Sequence, residues 1–194
     1  MSAIETKQRI LRIASELFAR QGFTGTTIAD IARELGTTTA ALYYHFPSKA
    51  DILAGLLAEP LASYQRIMTS LAAGAAAPEE ILGAFVDLNT ESRELGTVID
   101  RDPAVLAMID ERLPRSSREL MAEVVAALAG PDADRAALIR ASAALAVVKG
   151  ATSAALELAP DGKLSPDDRA EVLATALRAL APDPMPKPPP GRAS

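Results

Sequence analysis

The sequence predicts an all-α protein. Apolar residues make up 49% of the 194 residues, alanine is abundant and runs of β-branched residues are rare, a composition that favours helices. Apolar side chains recur at helical spacing along the chain, and no segment shows the alternation expected of a strand. The length allows one large domain or two small ones.

The first two predicted helices are bounded by clear end signals. The segment TKQRILRIASELFARQG has an apolar face opposite its arginines and ends at Gly22. A short second helix follows in TTIADIARELG, with Thr27 as its N-cap and Asp30 three residues later, where a capping box places its partner. Gly36 marks the end of this helix.

Two further helices are predicted directly after the second one. The segment TAALYYHF is predicted to form a short third helix that ends before Pro47. Ser48 is predicted to cap a fourth helix, with Asp51 at the matching position of a second capping box. Pro60 is expected to kink or break this fourth helix, although its apolar stripe continues beyond the proline.

The rest of the chain is also predicted to be helical, except for its last residues. The predicted helices cover residues 78–95, 102–113, 114–130, 132–159 and 165–180. The final segment is rich in proline and predicts a disordered tail. We therefore expect three parts, which are residues 1–49, residues 50–181 and a tail of residues 182–194.

Composition excludes several kinds of site. The chain has no cysteine, which excludes disulfides, zinc–thiolate sites and cysteine nucleophiles. Its one histidine, His45, excludes any multi-histidine metal site, and no serine or acid stands in a catalytic motif with it. We therefore predict no catalytic residues, no metal site and no cofactor, and we interpret the acidic pairs of residues 50–181 as solvated surface.

Charge and hydropathy indicate where the protein acts. The net charge is −5, but residues 1–50 contain six basic and four acidic residues, so a mildly basic segment precedes an acidic one. The N-terminal stretch has scattered charges and no long apolar run, which predicts no signal peptide. Residues 141–156 contain one charge, yet they are shorter than the ~20 residues of a membrane span. We predict a cytoplasmic protein with no membrane partner.

The arrangement of the first three helices indicates a helix-turn-helix. In that motif the second helix of the pair enters the major groove of DNA and needs a buried side and a small, polar, exposed side. Leu42 and Phe46 suit the buried side of the third predicted helix. Its other side offers small residues to base edges, and tyrosine, histidine and lysine side chains at its end suit phosphate contacts, which position a protein on DNA.

The sequence TTIADIARELGTTTAALYYHFPSKADIL, after a helix that ends in LFARQGF, resembles the DNA-binding domain of TetR-family transcriptional regulators. The resemblance covers about residues 8–55, through the turn glycine, the LYYHF segment and the lysine and leucine that follow it. It implies a helical ligand-binding and dimerisation domain after the helix-turn-helix, and a homodimer that represses transcription from a palindromic operator in double-stranded DNA until a small-molecule effector releases it.

The resemblance also implies roles for eight residues of the first domain. Thr27 would contact a phosphate at the start of the second helix. Base edges would face Thr38, Thr39 and Ala40, with Tyr44 as a further candidate for base contact. The DNA backbone would be held by Tyr43, His45 and Lys49. Ala29 stands where some members of the family have a base-reading arginine.

The second domain has no comparable motif, so its site residues are predicted from helical faces. The helix of residues 132–159 is apolar on more than one side and must be buried on more than one side. Paired with the last helix, it could form a four-helix interface with a second copy; the alternative is the core of a bundle within one chain. The predicted interface residues are Leu145, Val148, Thr152, Val172, Leu173 and Leu177.

The predicted lining of an effector pocket is Phe85, Leu88, Asn89, Met108 and Arg112. Lys149, the only charge in its apolar stretch, either reaches the surface or contacts the ligand or the partner subunit. Two alternatives to a ligand-responsive repressor remain open. One is a DNA-binding regulator without a small-molecule effector, and the other is an enzyme in an α-helical bundle.

Overall fold

The computed structural model describes residues 3–72, 74, 76–113 and 115–182, so all but the first residue of the predicted tail, residues 182–194, lie outside the described residues. These residues form ten α-helices and no strand, which confirms the all-α class. The helices are α1 (Ala3–Gln21), α2 (Ile28–Leu35), α3 (Thr39–His45), α4 (Lys49–Ala72), α5 (Pro78–Glu91), α6 (Arg93–Arg101), α7 (Pro103–Asp110), α8 (Ser117–Ala129), α9 (Arg135–Leu158) and α10 (Pro166–Leu180).

The ends of α2 and α3 follow from local sequence signals. Thr27 and Asp30 form the predicted capping box, because the Thr27 hydroxyl accepts a hydrogen bond from the Asp30 amide while the Asp30 carboxylate accepts one from the Thr27 amide. Gly36 ends α2 in the left-handed region with φ 72°, which only glycine adopts without steric cost. Thr38 caps α3 by accepting a hydrogen bond from the Ala41 amide. These caps fix the tight turn between α2 and α3.

One predicted helix boundary is wrong. Pro60 was expected to kink or break the fourth helix; α4 continues through it to Ala72 without a break, and a kink at Pro60 stays a prediction. The predicted helix of residues 78–95 is divided at Ser92, where the backbone leaves helical geometry between α5 and α6. The division has a packing reason, because α5 buries its apolar residues in one core while Leu95 and Val98 of α6 are buried in another.

The two cores are shared between distant parts of the sequence. The first core joins α1, α2, α3 and the N-terminal half of α4 to α6 and α7. The second joins the C-terminal half of α4 to α5, α8, α9 and α10. The predicted domain boundary after residue 49 is therefore crossed by the first core, in which Leu95, Val98, Val105 and Ile109 pack with the helix-turn-helix.

Candidate DNA-binding site and the cavity behind it

The short helix α3 has one buried and one exposed side. Leu42 and Phe46 are 1% and 8% exposed and belong to the first core, as the sequence predicts. Thr38, Thr39 and Ala40 are all exposed on the other side. Because these side chains are small, the backbone of α3 can approach another surface closely there, and two of them carry hydroxyl groups that can donate or accept hydrogen bonds.

The two tyrosines and the histidine lie at the C-terminal end of α3. Tyr44 is 86% exposed and Tyr43 is 51% exposed, so both phenol groups are accessible from outside. The rings of Tyr44 and His45 contact each other edge to face, with centroids 5.2 Å apart. The hydroxyl and imidazole groups are therefore gathered at one end of the exposed side.

Thr27 is exposed at the start of α2, but its polar groups already have partners. Its hydroxyl donates to a carboxylate oxygen of Asp30 at 2.6 Å. The hydrogen bonds from Thr27 are the main cause that lowers the pKa of Asp30, and a hydrogen bond from Arg33 adds to them. Asp30 is thus a paired carboxylate within the helix-turn-helix, and a phosphate contact by Thr27 stays a prediction.

Lys49 holds the loop before α2 through its ammonium group. Its ammonium donates hydrogen bonds to the backbone carbonyls of Phe23 and Thr26, each at 2.7 Å, and lies 4.3 Å from the centroid of the Phe23 ring. Burial lowers the pKa of Lys49, and the negative charge of Asp102 opposes that shift. Two of its three N–H donors therefore hold the loop between α1 and α2, and the predicted phosphate contact of Lys49 stays a prediction.

Asp102 is a contact that the sequence interpretation missed, because Asp102 was taken for a solvated acid. Its side chain is buried, accepts a hydrogen bond from the Thr24 amide at 2.7 Å, and caps α7 through the Ala104 amide. These hydrogen bonds, chiefly those from Thr24, lower its pKa. The Asp-Pro pair at the start of α7 is a capping signal that can be read from the sequence. The contact of Asp102 with Thr24, 78 residues away, has no such local signal.

A cavity of about 330 Å³ lies in the second part of the chain, within the range of small-molecule sites. It is lined by residues of α4 to α9 and is open to the surface. Phe85, Leu88 and Asn89 line it, as proposed from the sequence, but Met108 and Arg112 do not. Met108 packs against the first core instead, and the Arg112 guanidinium donates to the Met108 carbonyl at the surface.

The predicted dimer interface is wrong at three positions. Val148, Thr152 and Val172 are 0%, 1% and 5% exposed within a single chain, so they offer a second copy almost no surface. Leu145 lines the cavity, and Leu173 and Leu177 are partly buried against the second core. The error arose because α9 is apolar on two sides, and helical spacing does not tell which side meets the chain's own core.

The other side of α9 is exposed along its whole length. This surface, which we call the α9 stripe, consists of small and apolar residues at helical spacing: Ile139, Ala143, Ala146, Gly150, Ala154 and Leu158. Ile139 is 59% and Leu158 is 84% exposed. Lys149 lies beside the stripe and pairs with Asp100 of α6 at 2.7 Å.

Comparisons with known proteins show which family the helix-turn-helix segment is similar to. Residues 10–56 match the family model of bacterial regulatory proteins of the tetR family. The HTH-type transcriptional regulator SrpR of Pseudomonas putida is 45% identical over 56 residues, which are 29% of this chain and 26% of SrpR. The regulator AcrR of Shigella flexneri is 44% identical over 50 residues, 26% of this chain and 23% of AcrR. The matched segments span about a quarter of these two relatives.

Solved structures extend the likeness of fold to most of the chain. A TetR-family transcriptional regulator from Bordetella parapertussis superimposes with a TM-score of 0.62 and 24% identity, over 89% of this chain and 94% of that one. AmtR of Mycobacterium smegmatis gives a TM-score of 0.61 and 25% identity, over 90% of this chain and 86% of AmtR. The likeness of fold thus extends well beyond the helix-turn-helix.

Proposed function

Because the chain belongs to the TetR family of bacterial transcriptional regulators, we propose that it is a homodimeric repressor that binds a palindromic operator and is released by a small molecule. The exposed side of α3 is the observation that carries the proposal. An exposed helix face of threonine and alanine, held from behind by Leu42 and Phe46, suits the major groove. The residues after it can reach the DNA backbone.

Each exposed residue of α3 has a proposed role. Thr38, Thr39 and Ala40 face base edges, where the hydroxyls form hydrogen bonds and the methyl groups contact thymine. Tyr44, the most exposed aromatic residue, reaches bases or the sugar–phosphate backbone beside them. Tyr43 and His45 bind phosphates and fix the orientation of the helix.

The α9 stripe is the proposed dimer interface. By length and composition α9 is the one helix of the described residues that could cross a membrane, but only 28% of its most apolar window is buried within the chain. A second copy would cover the remaining apolar surface, and small residues let two helix backbones approach closely. We therefore propose a cytoplasmic dimer without a membrane partner. Dimerisation also supplies the second α3 that a palindromic operator requires.

Release by a ligand would act through the helices that touch both the cavity and the helix-turn-helix. α6 lines the cavity with Leu95 and Ile99, and Leu95 also belongs to the first core. Just after α6, Asp102 holds the loop between α1 and α2. α4 begins at Lys49 and reaches the cavity at Leu57. A ligand that prefers a different position of these helices would move the two α3 helices out of register, because only differential affinity shifts a population.

Each of the two alternative functions would require different features of the molecule. A regulator without an effector would need a protein partner instead of the cavity, and ligand protection in a thermal-shift screen separates the two cases. An enzyme would need a nucleophile, a base or a metal site. We propose no catalytic residue and no cofactor for this chain.

The proposed DNA binding is tested by selection of purified protein on random duplex DNA. We expect the enrichment of one palindromic sequence, with a specific affinity that is at least about a thousandfold higher than that for random duplex. If the selection enriches no sequence, the proposed operator binding is wrong. The selected duplex, called the selected operator below, serves in the other experiments.

Lys49→Met tests whether Lys49 acts mainly on the α1–α2 loop or also on a phosphate. The variant loses two hydrogen bonds to the α1–α2 loop, and we expect the free energy of unfolding to fall by about 1–3 kcal/mol. Operator affinity should fall because the loop that positions α2 is loosened. The slope of log affinity against log salt should change little, whereas a loss of about one unit would show that Lys49 neutralises a phosphate after all.

A further inference from the structure

The helix-turn-helix is poor in the side chains that read bases through paired hydrogen bonds. Arginine and lysine bind guanine in this way, and asparagine and glutamine bind adenine. Residues 27–46, all of which the structure describes, form α2, the turn and α3, and they contain one residue of these four types, Arg33. Its guanidinium binds the Asp30 carboxylate at 2.6 Å, and that carboxylate is itself held by the capping box with Thr27. Arg33 is therefore engaged within α2.

The exposed side of α3 offers methyl groups instead. Thr39 and Ala40 are exposed in its first turn, and Tyr43 and Tyr44 are exposed one turn later on the same side. A threonine methyl and an alanine methyl are groups that make apolar contacts with the C5 methyl of thymine in the major groove. Because both side chains are short, such contacts require the backbone of α3 itself to lie close to the base edges.

The position of α3 is fixed at both of its ends. Thr38 caps the helix, because its hydroxyl oxygen accepts a hydrogen bond from the Ala41 amide at 3.2 Å. A hydrogen bond from a base to that oxygen would compete with the cap. Leu42 and Phe46 are 1% and 8% exposed and hold the helix to the first core from behind. A helix held in this way can keep methyl groups at a constant distance from a base.

We propose that the operator is recognised mainly through the C5 methyl groups of its pyrimidines, which pack against the methyl groups of Thr39 and Ala40. This inference rests on the proposed function, which places α3 in the major groove, and it adds which feature of the base pairs is read. Each half-site then presents thymines to Thr39 and Ala40, and guanine is not read through its N7 and O6 acceptors. 5-Methylcytosine has a methyl at the same ring position, so it replaces thymine there in part, whereas cytosine does not.

Deoxyuridine tests the proposal, because it removes the C5 methyl of thymidine and keeps every hydrogen-bonding group of the base pair. Thymines of the selected operator are replaced in symmetric pairs, one pair at a time, and affinity is measured by fluorescence anisotropy. Burial of one methyl group corresponds to about fourfold in affinity, so we expect a loss of about ten- to twentyfold for at least one symmetric pair. Deoxyuridine in the flanking base pairs is the control and should change nothing. If no pair is sensitive, the proposal is overturned.

7-Deazaguanine tests the opposite mode of reading. It lacks the N7 acceptor through which arginine or lysine binds guanine in the major groove. We expect 7-deazaguanine at each symmetric pair of guanines in the half-sites to cost less affinity than deoxyuridine at the most sensitive thymine pair. An equal or larger loss overturns the proposal, because guanine would then be read through its acceptors.

Methylation of cytosine gives an independent measurement. At the thymine pair that is most sensitive to deoxyuridine, both thymines are changed to cytosine and, in a second duplex, to 5-methylcytosine, with guanine opposite. The comparison of these two duplexes isolates the methyl group. We expect the methylated duplex to bind at least about threefold more tightly, since its methyl groups are buried against α3. Equal affinity of the two duplexes contradicts reading through the methyl group.

Two variants of the protein assign the contacts. Thr39→Ser removes the methyl group and keeps the hydroxyl, and Ala40→Gly removes the methyl group of Ala40. In a variant that lacks the contact, deoxyuridine at the contacted pair should cost about twofold or less, because the effects of two groups in contact are not additive. Thr69→Ser, at an exposed position of α4, is the matched control and should keep the full loss. Tm shows whether Ala40→Gly remains folded, and Thr39→Ser hardly changes helix propensity. If deoxyuridine costs as much in both variants as in the wild type, the proposal is overturned.

The results also separate this inference from the proposed function. If the selection on random duplex DNA enriches an operator that is insensitive to every methyl replacement, the proposed operator binding stands and the reading of methyl groups is wrong. If the selection enriches no sequence, the proposed operator binding is wrong, and the inference about its base pairs is wrong with it.

Discussion

Thr39→Asp is expected to reduce affinity for the selected operator by at least about a hundredfold without unfolding the protein. Thr39 is the first residue of α3 and is exposed. An aspartate there places a carboxylate against phosphates and base-edge acceptors, and like charges brought together cost several kcal/mol. The helix itself should tolerate the change, since an acidic residue is favourable at a helix N-terminus.

The control for Thr39→Asp is Gln65→Glu, which adds the same charge on an exposed position of α4 in the second part of the chain. Fluorescence anisotropy gives the DNA affinity of both variants, and thermal unfolding shows whether they remain folded. We expect Gln65→Glu to bind like the wild type. A folded Thr39→Asp protein that keeps its operator affinity within about threefold would place Thr39 outside the DNA contact.

Ala146→Glu is expected to convert the dimer into a folded monomer. Ala146 lies near the middle of the α9 stripe and is exposed in the single chain, so glutamate, a good helix former, does not disturb the chain's own core. In the dimer the same carboxylate would be buried against apolar residues of the partner, and the nearby Lys149 is already paired with Asp100, so the change is strongly destabilising. Operator affinity should fall by at least about a hundredfold, because one α3 helix alone reads only half of the site.

Light scattering measures the mass of this variant, and Ala122→Glu on the exposed side of α8 provides the matched control. We expect the control to remain dimeric. A stable Ala146→Glu dimer would show that the α9 stripe is not the interface. A variant of Leu177, which the sequence indicated for this purpose, would be harder to interpret because Leu177 is partly buried in its own chain.

Sequence patterns correctly predicted those features of the fold whose signals lie within a few residues of one another. The capping box of Thr27 and Asp30, the left-handed Gly36 and the two-sided character of α3 all depend on residues a few positions apart. Local physical chemistry therefore predicts the helix-turn-helix almost completely, including which side of α3 is exposed.

Contacts between distant residues were not predictable in the same way. Lys49 was expected to face outward, yet its ammonium binds carbonyls 23 and 26 residues away. Asp102 was interpreted as a solvated acid, although it joins the end of α6 to Thr24. Which helices contact each other depends on the tertiary fold, and local patterns in a single sequence do not show these contacts.

The two apolar sides of α9 show a further limit. Periodicity indicated that both sides are buried, but it could not assign one to the chain's own core and the other to a partner. The predicted interface therefore included Val148 and Thr152, which belong to the inner side, and left out Ala146, which lies on the exposed side that we propose as the interface. Prediction of the pocket failed at Met108 because Met108 packs against the first core, and at Arg112 because its guanidinium donates to the Met108 carbonyl at the surface.

The central claim, that two α3 helices held by one dimer read two half-sites together, is tested most directly by changing the spacing of the selected operator. Inserting about five base pairs between the half-sites, half a helical turn, moves one half-site to the opposite face of the DNA. The account predicts that anisotropy titration of this duplex gives an affinity at least about tenfold lower than that of the selected operator. An unchanged affinity would contradict it, since each half-site would then be bound independently of the other.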